Sequence, residues 1–145
     1  SAIGLIQLKK IKEWRQIRSN NAMQIINHLK DINLIRVPFP GNNFVHAWYK
    51  FNCFLKNEYL KEDWNREKII KAIRSFGYPA FQGTCSELYL EKCFKGNFYS
   101  KENRLPIAAE LGDTNLTFLL HPTINEKSMK IYSSVIKKVL KEASK

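Results

Sequence analysis

The sequence predicts a mixed α/β chain in which helices alternate with short strands behind one long opening helix. Apolar residues recur at three- and four-residue steps at both ends of the chain, and between them they alternate with polar residues at period two. Gly, Pro or Asn punctuates most of the changes from one period to the other. A length of 145 residues falls within the usual span of one domain, so residues 1–145 are expected to fold as a single unit. Apolar content of 44% and aromatic content of 12%, with six glycines and five prolines, exclude a disordered or collagen-like chain.

The opening helix is carried by Leu8, Ile11, Trp14, Ile17, Ala22, Ile25 and Leu29, a stripe broken once. From Ala2 to Leu8 apolar residues surround the axis, so this end is expected to be buried on all sides, within the domain or against something outside it. "LIRVPFPGNN" carries two prolines and a glycine, which predict a short extended piece and a turn. "FVHAWYKFNCFL" then reads as a strand. Val45, Tyr49, Phe51, Cys53 and Leu55 make its core face, while His46, Trp48, Lys50, Asn52 and Phe54 make a mixed face suited to a cleft.

"NREKIIKAIRSFG" predicts a helix capped by Asn65, buried through Ile69, Ile70, Ile73 and Phe76, and stopped by Gly77. "YPAF" re-enters the sheet. "GTCSELYLEKCF" opens with Thr84 and Glu87 three apart, the spacing of a capping box, and predicts a helix start. In that helix Tyr89 pairs with Cys93 and Leu90 with Phe94, so Cys93 is expected in the core. A polar loop "KGNFYSKENR" follows, then a short helix from Pro106 to Gly112, a third strand in "NLTFLL", and a closing helix with Met129, Tyr132, Val135, Ile136 and Val139 on its apolar side. This order admits either a parallel doubly wound sheet or a small, mainly antiparallel sheet covered by helices.

The formal charge of +11 could attract phosphates or an acidic partner. Lys and Arg are spread along solvated helix faces and no nucleic-acid reading motif accompanies them, so nucleic acid is not the expected partner. No apolar run is long enough to span a membrane and "SAIGLIQLKK" lacks the order of a signal peptide, which predicts a cytoplasmic protein without a membrane partner. Three widely spaced cysteines without a C-x-x-C pair predict reduced thiols.

Each reactive side chain has a structural reading beside the chemical one. Cys85 falls in the first turn of the predicted helix, where the helix dipole lowers a thiol pKa, but no cysteine-enzyme signature surrounds it. No two ligands share the short spacing of a structural zinc site, so no metal is expected. His28 belongs at a helix C-terminus, where a cation complements the dipole; His46 and His121 belong at a strand start and a strand end, where side chains edge clefts. No Gly-rich phosphate cradle occurs.

Four stretches, "AIGLIQLKKI", "HAWYKF", "GTCSELYLEKCF" and "LPIAAELGDTNLTFLLHPT", occur in an order and spacing that resembles the C-terminal part of the DegT/StrS-type sugar aminotransferases. The resemblance covers nearly the whole chain. It implies the small C-terminal domain of the fold-type I (aspartate aminotransferase) fold: a few-stranded, mainly antiparallel sheet covered by helices and entered by a long helix. In that family a pyridoxal phosphate enzyme moves an amino group from glutamate to the keto group of a nucleotide-linked sugar. The Schiff-base lysine, the acid that holds the pyridine nitrogen and most of the phosphate site belong to a large N-terminal domain; Lys50 and Lys101 do not match that lysine's segment. A segment reaching the partner subunit's cofactor would end just before Ser1.

The resemblance therefore implies no catalytic residue and no bound cofactor in this chain, a place in a homodimer, and substrate contacts from His46, Tyr49, Lys50, Cys85, Ser86, Glu87 and His121. The competing reading is a free-standing module that reuses the fold to bind sugar nucleotides or a protein. A module of that kind should cover Ile3, Leu5, Ile6 and Leu8, whereas a part of a larger enzyme should leave them open.

Overall fold

The structure is a computed structural model that describes residues 2–39, 41, 43–83, 85–94 and 103–145. Helix α1 (Ala2–Leu29) enters, strand β1 (Ile35–Arg36) and strand β2 (Lys50–Leu55) follow, and helix α2 (Arg66–Ser75) crosses before a segment of short turns. Helix α3 (Pro106–Thr114), strand β3 (Asn115–Leu119) and helix α4 (Glu126–Ala143) complete the order. The sheet runs β1-β2-β3 with both pairings antiparallel, so the antiparallel alternative holds.

Helices occupy one face of the sheet. Phe51 and Cys53 of β2 face Phe118 and Leu116 of β3 across the ladder, and all four are fully buried. Phe51 stacks on Phe118 at 6.3 Å, and Phe118 meets the edge of Tyr132 from α4 at 6.1 Å. The Tyr132 hydroxyl donates to the Pro79 carbonyl, which draws the segment after α2 onto the same core. Both α1 and α2 pack on α4, whose buried stripe includes Met129, Ile136, Val139 and Leu140.

Local chemistry sets the ends as expected. Asn65 accepts the Lys68 N–H at 2.8 Å and caps α2, and Asn125 caps α4 by accepting the Ser128 N–H at 2.8 Å. Gly77 takes a φ of +82°, the left-handed stop that a side chain would resist. Pro106 opens α3, which runs two residues beyond Gly112, and His28 lies in the last turn of α1. Phe81 pairs with Thr117 in an isolated bridge, so "YPAF" does return to the sheet.

Several expectations fail, each for a definable reason. The strand read over residues 44–55 begins only at Lys50, because Trp48 has a φ of +49° and breaks the alternation. Trp48 is buried, and Val45 and Tyr49, expected in the core, are 76% and 73% exposed. Phe76 caps α2 instead of filling its stripe and lies under the Lys138 ammonium at 4.8 Å.

In α1 the core stripe begins only at Asn21 and Ala22. Ile3, Leu5, Ile6, Leu8 and Ile11 stand exposed, so nothing within these residues buries the helix start. The helix read from Thr84 onward is absent among the described residues: Leu88–Leu90 and Lys92–Phe94 are separate single 3-10 turns, and Cys93 is exposed. Thr84, and most of the loop including Lys101, lie outside the described residues.

Phe118→Ala is expected to cost about 3–5 kcal/mol, because it empties the point where sheet and α4 meet. Phe76→Ala is expected to cost about 1 kcal/mol or less, the scale of a surface cation–π contact. Urea unfolding of both variants measures the difference; equal losses would contradict this placement of the core.

Candidate functional site

The face of the sheet away from the core is polar. Lys50, Asn52 and Phe54 point there from β2, and register places Leu119, Thr117 and Asn115 of β3 opposite them. The Thr117 hydroxyl donates to Asn52 Oδ1 at 2.6 Å and lies 2.9 Å from Asn115 Oδ1, and its single proton serves one of the two oxygens. Gly83, with a φ of +95°, packs so closely on Asn115 that a Cβ there would meet its Oδ1. Arg36 of β1 lies over the Phe54 ring at 4.5 Å.

The turn before β2 supplies His46. Its Nδ1 accepts the Trp48 N–H at 2.8 Å, and the two rings lie 4.1 Å apart, so the turn is held by a side chain of its own. His46, Tyr49 and Lys50 line one depression of ≈ 610 Å³ with Phe44 and Val45. His46 and Lys50 also line a second one, of ≈ 440 Å³, that extends along the sheet to Asn52, Phe54 and Asn115.

Cys85, Ser86 and Glu87 line another depression, of ≈ 520 Å³, with Gly112 and Asp113 from the end of α3. No helix starts there. The Glu87 carboxylate instead accepts from Arg104 Nε at 2.7 Å and from the Tyr89 hydroxyl at 2.7 Å, with Arg104 Nη2 on its other oxygen. The Leu105 N–H donates to the Tyr89 oxygen at 3.0 Å, which ties the start of α3 to the same clasp. Gly112 lets Ser86 Oγ lie where a Cβ would otherwise be, and Arg66 donates to the Gly112 carbonyl from α2.

These contacts set the titration of the site. The Arg104 guanidinium, followed by the Tyr89 hydroxyl, holds the Glu87 carboxyl down at about 2. Cys85 moves the other way from the expectation, since its hydrogen bond to Glu91 at 3.2 Å raises the thiol pKa. The backbone N–H of Glu87 works against that rise without reversing it.

The expected site residues therefore fall into two groups and a singleton. Lys50 pairs with Leu119 at one end of the β2–β3 ladder, while Cys85, Ser86 and Glu87 share their depression with Gly83, which packs on Asn115 at the other end. His121 joins neither group among the described contacts: its Nδ1 takes the Thr123 N–H at 3.3 Å, with Thr123 Oγ1 at 2.7 Å. Sequence reasoning missed Arg104, Asn115 and Thr117. Asn52 and Thr117 left a signal, as polar residues on the non-core phase of two strands, but nothing local linked Arg104 to a carboxylate seventeen positions earlier.

Pyridoxal phosphate needs a lysine, a carboxylate for its ring nitrogen and a surface to stack on. Among the described residues, the depressions at Lys50 contain no carboxylate and the one at Glu87 contains no aromatic ring. These residues do not fit the cofactor, and no chemical step is derived through it. Among the described residues no three His, Cys, Asp or Glu side chains gather to hold a metal, and no helix is long and apolar enough to cross a membrane.

The sheet is antiparallel, covered by helices on one side and open and polar on the other, where Lys50 and Arg36 add positive charge, an α+β class of fold. The sequence model of the DegT/DnrJ/EryC1/StrS aminotransferase family matches residues 1–139. An aminotransferase from Psychrobacter cryohalolentis superimposes with a TM-score of 0.90 at 35% identity, covering 98% of this chain and 38% of that one. Helicobacter pylori PseC, an aminotransferase involved in the biosynthesis of pseudoaminic acid, shares the fold at a TM-score of 0.83 and 17% identity, over 97% of this chain and 36% of its own. So does the E. coli GDP-4-keto-6-deoxy-D-mannose-3-dehydratase with bound hydrated PLP, at 0.74 and 21% identity, over 96% of this chain and 34% of its own. No curated protein matches. The chain belongs to the DegT/DnrJ/EryC1/StrS aminotransferase family, and it spans about a third of the length of these solved relatives.

Because the folded Glu87 pKa lies below the ordinary 4.5, its contribution is complete above that pH and is lost as the pH falls toward about 2. NMR titration of the Arg104 Nε–H and the Tyr89 ring is expected to show the clasp opening in that window. Glu87→Gln should remove the step; a step that persisted in the variant would belong to another group.

Proposed function

We propose that residues 1–145 act as one domain of a pyridoxal-phosphate-dependent sugar aminotransferase, supplying the small-domain wall of its substrate cleft. The observation that carries this is the match to an aminotransferase at 35% identity over 98% of this chain but only 38% of the other. The substrate is a nucleotide-linked keto sugar that receives its amino group from glutamate. His46, Tyr49 and Lys50 contact it from one end of the open sheet face, Cys85, Ser86 and Glu87 from the other, and His121 from the loop after β3. Glu87 does so indirectly, since its carboxylate is already held by Arg104 and Tyr89.

Cofactor, lysine and ring-nitrogen acid come from the part of the enzyme that these residues do not supply, so this chain alone does not turn over. The enzyme works as a cytoplasmic homodimer. Exposed Ile3, Leu5, Ile6 and Leu8 favour this reading over a free-standing module, which would cover them.

Two measurements test it. Mixed with pyridoxal phosphate, glutamate and a keto-sugar nucleotide, the isolated chain is expected to give no turnover and no stoichiometric lysine adduct; adding the large domain of a relative should restore activity. Turnover by the chain alone would sink the proposal. In sedimentation the chain is expected to self-associate through α1, and Leu5→Lys with Leu8→Lys to convert it to a monomer. A wild-type monomer would return the advantage to the free-standing module.

A further inference from the structure

Helix α4 presents to solvent a face of one sign. Between Glu126 and Glu142 it carries five lysines, Lys127, Lys130, Lys137, Lys138 and Lys141, and no acid. At about 100° per residue they fall within roughly 100° of the helix circumference, in a row about 21 Å long. Lys137 is half-buried and the others are exposed. None of them forms an ion pair among the described residues, whereas Lys68 on α2 has Asp63 at 3.0 Å. Two apolar side chains stand open beside the row: Ile131, one turn after Lys127, is 46% exposed, and Phe76, under the Lys138 ammonium, is 45% exposed.

This arrangement works against α4 itself. Lys127 with Lys130, Lys137 with Lys141 and Lys138 with Lys141 are like charges three or four steps apart, and such neighbours repel. Lys127 also lies in the first turn, where the helix dipole favours an anion. Solubility alone is served as well by charges of mixed sign, without that repulsion. Carboxylates brought from outside would relieve it.

We infer that the outer face of α4 docks an acidic helix of a partner protein, with carboxylates every three or four residues along the lysine row and a small apolar patch over Ile131 and Phe76. The row stops at Glu126 and Glu142, within the span of one protein interface, and it combines open apolar side chains with surrounding charge as interfaces do. A bilayer would run past both glutamates, and a phosphate backbone would favour the arginine fork, which the row lacks. The face belongs to the helix side of the sheet, so a docked partner leaves the residues proposed for substrate contact uncovered. The inference therefore stands or falls apart from turnover.

The experiment is calorimetry of the full chain at low ionic strength. One probe is an alanine-based helical peptide with glutamate at every third or fourth position; the other has the same composition with its glutamates spread around the helix. The first is expected to bind more tightly. Lys130→Glu with Lys138→Glu is expected to weaken it about tenfold or more, the scale of two reversed surface pairs. Lys9→Glu with Lys12→Glu, which removes the same charge from α1, is expected to weaken it less than about threefold. Ile131→Ser is expected to weaken it about threefold. If the glutamate pair fails to fold, Lys127→Gln with Lys130→Gln is measured in its place and should shift affinity in the same direction.

Equal losses in the α4 and α1 lysine pairs, or equal affinity for the two peptides, would overturn the inference by leaving only the net charge. Unchanged affinity in Ile131→Ser would overturn the apolar part of the contact. Tighter binding to phosphatidylglycerol vesicles or to a DNA duplex than to the first peptide would overturn it in favour of a lipid or a nucleic-acid surface.

Discussion

The molecule depends on a change of phase at Trp48. A bulky residue in the left-handed region is uncommon and costs on the order of 1–3 kcal/mol of backbone strain. Three contacts offset that cost: the Trp48 N–H finds His46 Nδ1, the indole stacks near His46, and it packs on Phe51 at 5.9 Å. The result is that Trp48 is buried while Tyr49 turns outward, and β2 starts with Lys50 on the open face. Had the alternation continued unbroken, Tyr49 would have entered the core and His46 would have lost the contact that fixes its tautomer. The core's order and the open face's polarity follow from the same turn.

A second constraint acts at the other end of the ladder. Among its described residues the segment from Gln82 to Leu105 has no α-helix to hold it, and those residues are fixed by side chains instead. The Glu87 carboxylate gathers Arg104 and Tyr89, Tyr89 takes the Leu105 N–H, and Arg66 reaches the Gly112 carbonyl from α2. Charge-assisted bonds of this kind are stronger than neutral ones, and they fix direction as well as distance. They place Ser86 against Gly112, where a larger residue would not fit. Both site groups thus sit on locally self-supported backbone attached to a rigid sheet.

Much of the fold was legible because its signals are local. Asn65 and Gly77 bracket α2 by capping chemistry that involves neighbours in sequence, and the stripe of α4 needs only its own period. Phe51, Cys53 and Leu55 were legible as core for the same reason. What misled was a pattern without its context. Thr84, Glu87, Leu90 and Phe94 carry helical spacing, yet Glu87 is taken by Arg104, a partner no window of that length contains. Val45 and Tyr49 keep strand alternation, but one positive φ at Trp48 resets it. Of the site, the two groups of residues were legible as types; that they belong to different depressions was not, since it depends on contacts between Gly83 and Asn115 and between Ser86 and Gly112 that lie far apart in sequence.

Exposure and charge together say what kind of surface this domain is suited to meet. The start of α1 carries Ile3, Leu5, Ile6 and Leu8 in the open, and water makes contiguous apolar surface of that sort costly to leave uncovered. The chain carries a formal charge of +11, so its long-range field favours acidic neighbours. Neither feature helps the 145 residues fold, since the apolar residues contribute no burial and the like charges repel. Both become favourable when an apolar, acidic surface lies along α1, because that surface removes the exposed side chains from water and neutralises part of the charge.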